Sequence, residues 1–115
     1  MPTVYASLPL TGPARHSGRE VLRGAELALE RTGGDSVELV ALHTGGDDRE
    51  GRAADAARQA AKDPHALACL GDFHSGQVAE SSRILGVAGL LQVAPLATWA
   101  ELGGPTLIRG GAALA

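Results

Sequence analysis

Two short apolar runs in the second half of the chain, Ala66-Leu67-Ala68-Cys69-Leu70 and Leu90-Leu91-Gln92-Val93, each break into a loop ending on a hydroxyl residue. The first leads into Gly71-Asp72-Phe73-His74-Ser75 and the second into Ala94-Pro95-Leu96-Ala97-Thr98. An all-apolar run of this length is how a strand reads when both faces of its sheet are covered, the usual situation of a central parallel strand. Parallel neighbours need long crossover connections, so such strands must alternate with helices. In an open sheet of that kind both loops leave at the carboxyl edge, where ligands bind. A small-ligand site is the first functional expectation.

The rest of the chain follows the same alternation. Residues 4–8 predict a first strand, and Pro9-Leu10-Thr11-Gly12-Pro13 a loop, because two prolines and a glycine oppose regular structure. A helix is expected over 18–31, where Val21, Leu22, Ala25, Ala28 and Leu29 recur at helical spacing before Gly33-Gly34 ends it. Residues 37–42 predict a second strand and Thr44-Gly45-Gly46-Asp47 the turn out of it. The Ala-rich segment 48–62 predicts a second helix, with Asp48 at its N-cap, an alanine face for close packing, and Asp63-Pro64 as its stop. A third strand at 66–70 leads to a helix capped by Ser75 and running to about residue 87. Then come a fourth strand at 90–93, a helical turn at 98–102, a fifth strand at 106–109 and a flexible end over 110–115. The fold class is α/β: a doubly wound, mostly parallel five-stranded sheet with helices on both faces and right-handed crossovers. With no repeat or linker in sight, residues 1–109 form one domain.

Composition narrows the function. A chain of 115 residues has room for one core, and with a single Phe, Trp and Tyr that core is built from Leu, Val, Ile and Ala. The net charge of -3, with basic residues interspersed among acids, argues against a nucleic-acid partner or an anionic membrane surface. No apolar run reaches the roughly 18 residues needed to span a bilayer. Met1-Pro2 runs straight into an apolar strand, so no secretory signal is expected in the chain as given, and the protein is either cytoplasmic or has had a signal removed. Cys69 is the one cysteine, and its apolar surroundings predict a buried, unreactive thiol.

Catalytic readings are weak. Asp72, His74 and Ser75 are too close in one loop to place a base between an acid and a nucleophile, and no G-x-S-x-G elbow exists. His16, His43, His65 and His74 lack metal-ligand spacing, and the side chains of Asp47 and Asp48 diverge as they leave a strand. Neither a metal, another cofactor nor enzymatic activity is expected. The alternative reading is a receiver-like phosphoacceptor signalling domain with Asp72 as acceptor. That pattern also needs an acid pair after the first strand, where Ser7-Leu8-Pro9 stands.

Four segments together resemble the type I periplasmic binding proteins, and more narrowly the leucine/isoleucine/valine-binding branch that serves ABC transporters. They are Ser7-Leu8-Pro9-Leu10-Thr11-Gly12-Pro13 with Gly18 and Gly24-Ala25 beyond it, Asp47-Asp48, the run from Gly71 to Ser75, and Pro95-Leu96-Ala97-Thr98 followed by Glu101-Leu102. The resemblance covers residues 4–109 and implies the first of two lobes, with 110–115 near the hinge and the second lobe missing. It implies an amino-acid-like ligand whose carboxylate meets the hydroxyl and N–H of Ser75, while the Leu96 carbonyl and Thr98 meet its ammonium. Trp99 is expected at the cleft mouth, and Ser17 stands where amino-acid binders often carry an aromatic in the first loop. Further implications are a membrane permease as partner, an extracytoplasmic location, and a homodimer formed through the apolar rim that a separated lobe exposes.

Overall fold

The computed structural model describes residues 1–32, 36–45, 51–97, 103 and 106–109. Its elements are β1 (Thr3–Leu8), α1 (Arg15–Arg31), β2 (Glu38–His43), α2 (Arg52–Lys62), β3 (Ala66–Leu70), α3 (Ser75–Ala88), β4 (Leu91–Ala94) and β5 (Leu107–Arg109). All strand pairs are parallel, in the order β2-β1-β3-β4-β5. This is the doubly wound sheet expected from the alternating pattern, parallel throughout rather than mostly so. The helical turn expected at 98–102 and the flexible end at 110–115 lie outside the described residues.

Strand residues alternate between two faces. Tyr5, Val40, Leu42 and Cys69 pack with Ala57 and Ala60 of α2 and Leu85 of α3 into one core. Val4, Leu39, Ala68, Leu70 and Val93 meet Ala25, Ala28 and Leu29 of α1 around an apolar cavity of about 290 Å³. The alanine face of α2 is buried as expected, at Ala53, Ala54, Ala56, Ala57 and Ala60. Small side chains there let α2 lie close to α3 and the sheet. Cys69 is 3% exposed and its thiol is pushed up to about 12, chiefly by burial and then by the charge of Asp72. It is the inert thiol that its apolar neighbours suggest.

The helix starts differ from expectation. α1 begins at Arg15, not Gly18, because Gly18 serves packing rather than helix initiation: a Cβ there would lie 1.9 Å from the Pro9 carbonyl oxygen. The backbone of the loop after β1 therefore rests directly on the helix. α2 begins at Arg52, after Gly51 at φ 77°, a left-handed conformation that suits glycine and ends the helix there. Asp48 lies outside the described residues. The α2 stop holds: Asp63 follows the last turn, accepting from the His65 backbone N–H at 2.8 Å and from the Tyr5 hydroxyl at 2.6 Å.

Candidate functional site

The strand order fixes where a cleft can form. The chain leaves β1 toward β2 on one side and leaves β3 toward β4 on the other, so the loops after β1 and β3 part at the carboxyl edge. Such a switch point opens a crevice between the two loops. The loop after β3 runs through residues 71–74 into the first turn of α3, and the loop after β1 runs through residues 9–14 into α1.

At this switch point lies a buried polar network centred on Asp72, which is 1% exposed. One carboxylate oxygen bonds the Ser7 hydroxyl at the end of β1, and the other accepts from Ser81 of α3 at 2.5 Å. Ser7 is in turn 3.2 Å from the Thr44 hydroxyl beyond β2. From β4, Gln92 donates its amide to Ser81 and to the Gly71 carbonyl, both at 2.9 Å. Gln77 in the first turn of α3 donates to the Thr44 carbonyl at 2.7 Å. β4, α3 and the carboxyl ends of β1, β2 and β3 are thereby joined. Burial pushes the Asp72 carboxyl up to about 6, against the pull of the Ser7 and Ser81 bonds, and Glu80 adds to the rise.

The loop after β1 has its own fastening. His43, the last residue of β2, accepts from the Leu10 backbone N–H at Nδ1 (3.0 Å), and its Nε2 lies 2.9 Å from the Thr11 hydroxyl. Arg19 of α1 donates to the Leu10 carbonyl at 3.0 Å. At the other loop the ring of His74 meets Phe73 edge-on at 4.9 Å. Asp72 thus faces Ser7 and Ser81, on β1 and within α3. Among the described residues no group of three or more His, Cys, Asp or Glu could hold a metal ion.

Of the residues expected to bind ligand, Ser75 is the first residue of α3, half-buried at the switch point. The cap position belongs to His74, in extended conformation, so the expectation of Ser75 as N-cap is corrected by one residue. Ser17 lies on the exposed surface of α1, in its first turn and not in the loop, since α1 starts early. Leu96 is in the turn after β4, 45% exposed beside the buried Ala97. Thr98 and Trp99 lie outside the described residues.

The sequence reading missed Ser7, Thr44, Gln77, Ser81 and Gln92. One signal was available for Gln92, a lone amide inside an apolar strand, where burial demands partners. The others become visible only when distant segments meet.

No protein-family model matches the sequence, and no curated protein matches it. Solved structures do. A leucine-binding protein from Thermotoga maritima is 28% identical at a TM-score of 0.81, over 95% of this chain and 32% of that one. A branched-chain amino acid transporter substrate-binding protein from Streptococcus pneumoniae, solved with isoleucine, is 21% identical at a TM-score of 0.83, over 95% of this chain and 33% of that one. A solute-binding protein of an ABC transporter from R. palustris, solved with benzoate, is 23% identical at a TM-score of 0.75, over 93% and 31%. The chain thus has the α/β fold of one lobe of a type I periplasmic binding protein. Within that fold it resembles the branched-chain amino acid group of ABC-transporter substrate-binding proteins, and it spans about a third of the length of those matched.

Proposed function

We propose that this chain is the first, ligand-binding lobe of a solute-binding protein that serves an ABC transporter, taking an amino acid or a similar small polar solute without chemical change. The observation that carries this reading is the topological switch point between β1 and β3, with the first turn of α3 beside it, in a fold matched over nearly the whole chain by solute-binding proteins. The backbone N–H groups of a first helical turn point outward along the axis, and with the helix dipole they favour an anion at such a helix start. Ser75 stands at that start and is suited to a ligand carboxylate. The Leu96 carbonyl and Thr98 are the assigned partners of an ammonium, with Trp99 and Ser17 at the margin of the cleft.

The matched proteins carry leucine, isoleucine and benzoate in their names or crystals, so a carboxylate is what those ligands share. In this reading residues 1–109 form the lobe and 110–115 approach the hinge. A second lobe closes the site, a membrane permease receives the solute, and the location is extracytoplasmic. The receiver alternative gains no support: an acceptor aspartate must reach solvent, and Asp72 is buried and bonded to two serines.

Calorimetry of the 115-residue chain with leucine, isoleucine and benzoate tests the proposal. Half of the enclosing contacts are lacking in one lobe, so millimolar binding is expected. Micromolar binding by a monomer would contradict a half-site.

A further inference from the structure

Asp72 is a buried carboxyl in the same loop as the proposed ligand site, and nothing in solute binding itself requires a charge there. Its surroundings tolerate either protonation state. As a carboxylate it accepts from the Ser7 and Ser81 hydroxyls. As an acid it can donate to Ser7, whose hydroxyl then turns to Thr44 Oγ1, 3.2 Å away, while Ser81 continues to donate to the other oxygen. One hydroxyl rotation accommodates the proton, and Gln92 keeps both of its bonds to Ser81 and Gly71. The charge can therefore change without moving the loop.

The ligand would feel that change. Ser75 is three positions after Asp72, so their Cα atoms lie at most about 10 Å apart. For charges about 10 Å apart at an effective dielectric of about 20, two negative charges repel by an amount equivalent to about a tenfold change in affinity. We propose that solute capture at the Ser75 turn is proton-linked through Asp72: the ligand carboxylate binds more tightly when Asp72 is neutral, and its binding draws a proton onto Asp72. The second half follows from the first, because linkage between two ligands is reciprocal.

Among the described residues, the other titratable groups bearing on Asp72 are Glu80 of α3, whose charge also favours the neutral form, and the Cys69 thiol of β3. From β1, β4 and the segment after β2 it meets the hydroxyls of Ser7 and Thr44 and the amide of Gln92, which do not titrate. With its carboxyl raised to about 6, Asp72 changes charge across the neutral-to-mildly-acidic range. The inference rests on the reading of the Ser75 turn as the carboxylate site.

The test is calorimetric affinity for L-leucine at about pH 5 and about pH 8, for the parent chain and for Asp72→Asn, with the proton count taken from buffers of different ionisation enthalpy. The ligand's ammonium offsets part of the repulsion, so the expected gain at the lower pH is at least about threefold in the parent. Asp72→Asn should bind at the higher pH as the parent does at the lower, and should lose the proton uptake. Any contribution of His43 or His74 at this edge persists in the variant, so the difference between the two proteins isolates Asp72. Equal pH dependence in both, or binding without proton uptake in the parent, would overturn the inference and leave the solute-binding reading intact. No leucine binding at either pH would overturn both.

Discussion

The two loops that dominate the sequence are held in very different ways. The loop after β3 is fastened from below: Gly71 donates its N–H to the Val93 carbonyl at 2.8 Å and accepts from Gln92, while Asp72 ties β1 to α3. In the loop after β4, the Ala97 N–H donates to the Ala94 carbonyl at 3.3 Å and the Ala97 side chain is buried. Pro95 and Leu96 are exposed. One half of the proposed site is thus organised within the lobe. In the other half the described residues Pro95 and Leu96 are open to a ligand or second lobe, and pre-organisation is what saves free energy on binding.

The fastened loop should break first. Gly71 has φ 129°, outside the range of L side chains, and a Cβ on it would lie 2.2 Å from the Ser7 carbonyl oxygen. Gly71→Ala therefore combines backbone strain with overpacking and should cost about 3 kcal/mol in denaturant unfolding. Ser81→Ala removes the donor to one Asp72 oxygen and an acceptor of Gln92, for an expected loss of about 1–3 kcal/mol.

A smaller effect separates the loops by pH. Between its ordinary value near 3.8 and its folded value of about 6, Asp72 holds more proton in the native than in the unfolded chain. Stability should therefore fall as pH rises through that window, and unfolding of the parent measured against Asp72→Asn isolates this contribution from the other acids. Asp63 behaves oppositely: the Tyr5 bond holds its carboxyl below the usual range, so its contribution is lost only on further acidification. The smallest effect belongs to the other loop. Leu96→Ala at a half-exposed turn should change stability by no more than about 0.5 kcal/mol.

What could be read from sequence divides along the same line. The strands were legible within about a residue because aliphatic runs such as Ala66–Leu70 owe their character to burial, and burial writes itself into composition. Ser75 was legible as a residue at a helix start, though His74 takes the cap position. Gly18 read as a helix start because its true constraint, the carbonyl of Pro9, lies in a contact no local pattern encodes. Asp72 entered the sequence reading only as a member of a weak catalytic cluster and as the acceptor of the receiver alternative. Its partners Ser7 and Ser81 are 65 and 9 residues away, and only the assembled sheet brings them to one carboxyl. Residues that matter through long-range polar contact are the ones a periodicity cannot announce.

The central claim is that a small carboxylate solute binds at the crevice between the loops after β1 and β3. Backbone amide shifts of the 115-residue chain during titration with L-leucine test it most directly. The account predicts saturable shifts centred on Ser75, Gly76 and Gln77, with weaker changes at Leu96 and Ala97. Shifts confined to the apolar cavity beside α1, or none at leucine concentrations well into the millimolar range, would contradict it.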